Sequence, residues 1–304
     1  MSPPYNPALG STVNTKAMKL LNAKQICEVA AEGGFGVPAL NNNGGSYDIG
    51  RAILESAEEL QSPLIIAEYE PNLDYCGYDH AGALLKLLAA HTTIPLAMAL
   101  DHGKTPQSIL RAIRAGFTHV MIDYAEKPLD ENVLGTRQII DLVRPLGISV
   151  EGEIGHLGAN PAPAGQAPPT VSVAEAWDFA TRTGVDLLAV ADGTRHGIFE
   201  EQQGMDFKLI AEIRAAVPMP LVQHGTCGIA LPDITRLVHA GMTKINFGEA
   251  LRMNFIRYFN EMSRTLKHEH HAWRIARAAK DRLKEDIKEI IRACGSDGKA
   301  GLYP

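Results

Sequence analysis

The feature that most constrains this chain is a rhythm of eight short apolar runs. They read FGVPALN (35–41), PLIIAEY (63–69), PLAMALD (95–101), HVMIDY (119–124), SVEGEIG (149–155), LLAVADG (187–193), PLVQHG (220–225) and KINFGE (244–249). Their mean spacing is roughly 30 residues, about the size of one βα unit. Between them lie stretches such as YDIGRAILESAEELQ and DFKLIAEIRAAV, whose apolar residues recur at three and four, the period of an amphipathic helix. Strand–helix alternation implies a parallel sheet with helices outside, and eight units predict an α/β protein with a (β/α)8 TIM barrel. An open doubly wound sheet shares the alternation, but no GxGxxG follows the first run.

The rhythm places a flexible N-terminal arm over 1–17, a barrel catalytic domain over 18–260, and a C-terminal helix and tail over 261–304 packed on the same domain. Two stretches depart from it. GHLGANPAPAGQAPPTVSVAEAW, after the fifth run, is a long Pro/Gly/Ala-rich loop of the kind that forms lids. LKHEHHAWRIARAAKDRLKEDIKEIIRAC is a charged helical extension.

Composition narrows the partners. Lys plus Arg is 29 against 35 Asp plus Glu, a net charge of −6, which is no field for nucleic acid. No apolar stretch approaches the ~18 residues of a membrane span, so no membrane partner is expected. Four cysteines, Cys27, Cys76, Cys227 and Cys294, lie scattered without a CxxC pair, as in a reduced, cytoplasmic protein.

The chemistry gathers at strand ends, where the loops of such a barrel converge on one mouth. His102 closes the third run in ALDHG, His196 follows the sixth in DGTRHG, and His224 closes the seventh in VQHG. Three neutral imidazoles at one rim suit Zn2+, or another divalent transition metal, with a coordination position left open. Glu153 points to the same rim as an alternate ligand or a supporting carboxylate. Asp101 is a candidate acid–base group, yet neighbours on a regular strand face opposite sides, so Asp101 and His102 share the site only where that strand end is irregular. The other histidines, His119 among them, read as structural or solvated, except His156, which opens the long loop and is a candidate binder of an acid group.

ALDHG, VEGEIGHLG, GVDLLAVADGTRHG, PLVQHGTCG, GMTKINFGEALR and the terminal GSDGKA resemble the class II, metal-dependent ketose-bisphosphate aldolases, the fructose- and tagatose-bisphosphate enzymes. The resemblance runs from about residue 18 to 300. It implies His102, His196 and His224 as zinc ligands and Asp101 as the catalytic group exchanging a proton with a C4 hydroxyl. It implies a glutamate near the metal at Glu153, glycines at Gly197, Gly225 and Gly228 near a phosphate and a monovalent cation, and a substrate-binding asparagine at Asn246. It also implies a small sugar or sugar phosphate as partner and a homodimer or homotetramer. Lys244 then reads as structural, since no Schiff base is required.

Several positions depart from that pattern. HGTCG carries Cys227 and NFGE carries Glu249 at substrate-binding positions where the resembled enzymes have Ser and Thr. A carboxylate repels a nearby anion by roughly 4 kcal/mol for unit charges about 4 Å apart at an intermediate dielectric. Glu68 and Glu70 are expected at or near the same mouth, and residues 159–170 hold no carboxylate to move a proton at C3. Asp123, Tyr124 and Arg195 are further candidates at the site, with Tyr124 or a water as the C3 proton carrier. These departures point to reversible retro-aldol cleavage of an altered, non-bisphosphate substrate. A metal-binding barrel subunit supporting a partner aldolase, and a metal-dependent epimerase or hydrolase, are the alternatives.

Overall fold

The computed structural model describes residues 20–155, 170–198 and 204–303. The arm over 1–17, His156 and nearly all of the carboxylate-free loop stretch lie outside the described residues.

Eight parallel strands close into one barrel in chain order: β1 (Val37–Asn41), β2 (Leu64–Tyr69), β3 (Leu96–Gly103), β4 (His119–Ile122), β5 (Ser149–Ile154), β6 (Leu187–Val190), β7 (Leu221–Gln223) and β8 (Met242–Phe247). Each overlaps its predicted run; β3 runs on two residues past 101, to Gly103, and β8 begins two residues before 244, at Met242. The helices are α1 (Ala23–Gly33), α2 (Tyr47–Glu59), α3 (Glu70–Cys76), α4 (Tyr78–Ala89), α5 (Pro106–Ala115), α6 (Leu129–Val143), α7 (Val173–Thr183), α8 (Phe207–Ala216), α9 (Leu231–Ala240), α10 (Glu249–Thr265) and α11 (Ala272–Cys294).

Local signals set several helix ends. Asn22, Thr105 and Ser172 cap α1, α5 and α7 in reciprocal capping boxes with Gln25, Ser108 and Glu175. Each box satisfies N–H groups that the first turn leaves without partners.

Two apolar layers hold the barrel. The larger lies between strands and surrounding helices, with Ile66, Leu100, Val120 and Leu188 on the outward strand faces. The smaller fills the barrel's lower interior with Val37, Ala39, Ile65, Ala67, Ala97, Ala99, Leu187 and Val222, and α1 plugs it with Ile26, Cys27 and Ala30. Tyr303 Oη donates to Ile26 O at 3.0 Å, tying the chain's end to that plug. Small alanines face inward because eight strands leave little room at the axis.

The C-terminal extension is two helices. α10 continues through residue 260, and α11 lies against α2, its Ile275, Leu283, Ile287 and Ile291 buried. A ladder of charge joins the pair: Lys280 Nζ reaches Glu55 Oε2 at 2.6 Å, and Lys284 and Lys288 reach Glu59.

Candidate active site at the carboxyl end of the barrel

Strand alternation decides which side chains look into the barrel. Along β2, Ile65, Ala67 and Tyr69 face inward while Leu64, Ile66 and Glu68 face outward. Along β5 the inward pair is Glu151 and Glu153, and along β8 it is Lys244 and Asn246, four polar residues in one barrel. Glu153 and Asn246 line a cavity of about 500 Å³ at the carboxyl ends of the strands.

On β3 the alternation is broken where the chemistry needs it. Inward Asp101 would leave His102 facing outward, but His102 has φ +51°, and the β3–β4 register shifts between Leu100 and Gly103. That irregularity turns both side chains into the cavity. A non-glycine residue in the left-handed region is strained, a feature that concentrates at functional sites.

Three imidazoles meet there. His102, His196 and His224 each offer a ring nitrogen, and these atoms lie within 4.8 Å of one another. Ring centroids are 4.9 Å apart for His102–His196, 4.7 Å for His102–His224 and 5.7 Å for His196–His224. Two rings are aimed by carboxylates. His102 Nδ1 lies 2.7 Å from Asp123 Oδ2, leaving Nε2 for the cavity, and His224 Nε2 lies 2.7 Å from Glu151 Oε1, leaving Nδ1. Carboxylates behind imidazoles in this way fix tautomer and orientation for a metal, so the donor set fits a divalent cation.

The charges agree with that fit. Burial works against charging His102, but Asp101, Asp123 and Glu153 outweigh it and raise the imidazole to about 9. Burial, followed by the Asp123 charge, pushes Glu153 up to about 8, and its Oε2 has no hydrogen-bond partner. Burial would raise Glu151 as well, yet the Lys244 ammonium and hydrogen bonds from His119 and His224 hold it well below the usual carboxylate range.

A continuous hydrogen-bonded chain crosses the barrel floor. Asp101 Oδ1 accepts from Asn246 Nδ2 at 3.1 Å, and Asn246 Oδ1 accepts from Lys244 Nζ at 2.8 Å. Lys244 Nζ also lies 2.8 Å from Glu151 Oε2, whose other oxygen holds His224. His119 reaches Glu151 from β4 at 3.2 Å. Lys244 is therefore more than a packing residue, and His119 is a buried strand residue of this network. Sequence reading missed Glu151, although its place two residues before Glu153 on one strand puts both on the same face. It also missed Asn41, whose Nδ2 lies 3.5 Å from Asp101 Oδ2, and Lys104, whose Nζ lies 2.7 Å from Asp123 Oδ2.

The remaining candidates divide. Gly197, Gly225, Asn246, Glu249 and Asp123 line the cavity; Arg195, Cys227, Gly228 and Tyr124 do not. Tyr124 packs against Gly135 on α6 beneath Lys127 Nζ, because it follows inward Asp123 and so faces away. Gly225 has φ +64°, and a Cβ there would stand 2.7 Å from Arg195 O, so a bare backbone lets the β6 and β7 loops meet. Glu68 corrects the expectation for the mouth. It faces outward, fully buried, and accepts from Asn42 Nδ2, Gly44 N and Gly45 N, each at 2.9 Å. Glu70 opens α3 and accepts from Lys104 N. Glu249 does line the cavity, but it is paired with Arg252 at 3.0 Å.

A family model described as fructose-bisphosphate aldolase class-II matches residues 21–299. The chain belongs to that family. It is thus a class II aldolase, a metal-dependent carbon–carbon lyase. Among solved structures it is similar to the YdjI aldolase of Escherichia coli K12, with 27% identity, TM-score 0.80, and coverage of 92% of this chain and 99% of that one. It shares its fold with the fructose-bisphosphate aldolase of Campylobacter jejuni, at 18% identity and TM-score 0.79, over 93% and 97% of the two chains. Among the described residues of this class II aldolase, no helix is long and apolar enough to cross a membrane.

Proposed function

We propose that this class II aldolase cleaves a ketose or ketose phosphate reversibly between C3 and C4, with zinc at His102, His196 and His224 and a substrate carrying fewer phosphates than a bisphosphate. The observation that carries the reading is the turning of Asp101 and His102 into one cavity by the break in β3. It sets a proton acceptor beside a metal position, as aldol chemistry requires.

A bound zinc ion supplies Lewis-acid polarisation of the ketose carbonyl. Asp101 takes the proton of the C4 hydroxyl, its carboxylate held by Asn246 and Asn41. Lys244 orients the Asn246 amide so that its nitrogen faces Asp101. Asp123 and Glu151 hold two of the imidazoles. With Tyr124 turned outward, water carries the proton that replaces the broken bond.

Charge supports the substrate class. The cavity is lined by the carboxyl groups of Asp101, Asp123, Glu126 and Glu249, while Lys104 and Arg252 on its wall are each already paired to a carboxylate. A bisphosphate would bring several more negative charges into that field. Conserving these readings, the cysteines form no disulfide, in keeping with a reducing cytoplasm. Exposed Met253 and Ile256 on α10 supply apolar surface for a homodimer or homotetramer.

The test is a panel of ketoses, ketose monophosphates and ketose bisphosphates on metal-loaded protein, with products identified by NMR. Two carbonyl fragments from an unphosphorylated or singly phosphorylated ketose are expected. Robust cleavage of fructose or tagatose 1,6-bisphosphate would defeat the altered-substrate reading, and an epimer or a hydrolysis product would defeat the lyase.

A further inference from the structure

The wall of the cavity built by β8 and α10 carries its own anion. Glu249 is the first residue of α10 and lines the cavity, with Oε1 3.0 Å from Nη2 of Arg252 one turn along. The start of a helix gathers partial positive charge and free N–H groups, and so attracts anions. In α10 no side chain caps those groups from Gly248, and Glu249 supplies the negative charge at that end. The guanidinium on this wall is matched by the same carboxylate. Both features that would draw a phosphate are already answered by the protein, and a phosphate entering there meets a carboxylate. A hydroxyl fits instead, donating to Glu249 and accepting from Arg252.

We propose that the β8–α10 wall is a subsite for an uncharged terminal hydroxymethyl group of the sugar, from which Glu249 excludes phosphate. The inference rests on the aldolase reading and names what one end of its substrate carries.

The reaction is run toward bond formation with zinc-loaded protein, pairing dihydroxyacetone or dihydroxyacetone phosphate with glyceraldehyde or glyceraldehyde 3-phosphate. At one end the wild type should prefer the unphosphorylated partner by about tenfold or more, the discrimination expected of a like-charge contact. Glu249→Gln keeps the size and removes the charge, and should shrink that preference about tenfold at the same end. Inorganic phosphate gives a second readout without turnover: it should leave the thermal midpoint of metal-free wild type unchanged and raise that of Glu249→Gln. The proposal is overturned if the wild type uses phosphorylated partners equally well at both ends, if Glu249→Gln leaves both preferences unchanged, or if phosphate stabilises wild type and variant alike. Should no pair form a bond, the aldolase substrate reading fails, and the phosphate readout still decides the subsite.

Discussion

Asp123 Oδ2 lies 2.7 Å from His102 Nδ1, and the same oxygen receives Lys104 Nζ at 2.7 Å. Burial would raise this carboxyl, but the hydrogen bond and charge of His102, then those of Lys104, hold it well below the usual carboxylate range. The ionised group fixes the ring with Nε2 toward the cavity. Asp123→Ala should weaken zinc binding by about 10- to 100-fold, measured by competition with a chelating dye. Unchanged affinity would mean that His102 is oriented by something else.

Asp101 is held by Asn246 and Asn41, whereas Asp123 and Glu151 hold the rings of His102 and His224. Asp101→Ala should therefore keep one zinc per chain and lose turnover by about 10²- to 10⁴-fold. Metal content and single-turnover rates check this together. A variant with full activity would show that another group takes the C4 hydroxyl proton.

Lys244 is the cation facing Glu151 at the barrel floor, with both side chains almost wholly buried. Lys244→Met leaves that carboxylate without its main partner and should cost about 3–5 kcal/mol in urea denaturation. Adding Glu151→Leu should return part of the loss, because an apolar pair needs no counter-charge. No recovery in the double variant would show that Lys244 acts on stability through Asn246 alone.

Glu68 accepts three hydrogen bonds from the segment between β1 and α2, the same loop that carries Asn41's neighbours. Glu68→Ala strands those donors and should destabilise the fold by about 1–3 kcal/mol. Glu68→Gln keeps an acceptor and should cost less. The thermal midpoints of the two variants rank them.

Acid should loosen the α2–α11 ladder. Burial raises Glu55 and Glu59, but hydrogen bonds and charge from Lys280, Lys284 and Lys288 prevail and leave both carboxyls below their ordinary value. A lowered folded-state value means stability fully present above the ordinary glutamate value of about 4.3 and lost as pH falls below it and through the lowered folded-state value. The thermal midpoint of wild type should drop more between pH 6 and pH 3 than that of Glu55→Gln. Equal drops would remove Glu55 from the ladder's pH response.

Much of this was legible in the chain. The eight runs are strands because their β-branched and apolar residues suit a sheet buried on both faces, and histidine after strand after strand marked the mouth. Period-two counting along PLIIAEY could have placed Glu68 outside and Tyr69 inside. It could likewise have paired Glu151 with Glu153 and turned Tyr124 away from Asp123. What no counting could supply was the break at His102, since a left-handed residue beside a register shift is a property of β3 against β4 and not of ALDHG.

The sequence alone determined the barrel and its rim, because repeating hydrophobic period and strand-end position are local properties of the chain. The tertiary structure decided which polar groups share an atom's reach. Lys244 is separated from Glu151 by three βα units and from His224 by one, yet all three meet in the barrel floor. Glu249 is a mouth carboxylate in the chain and one half of an ion pair in the fold. Closing the sheet brings β5, β7 and β8 side chains together around one axis. Charges that repel or attract over those few ångströms do so whatever their distance along the chain.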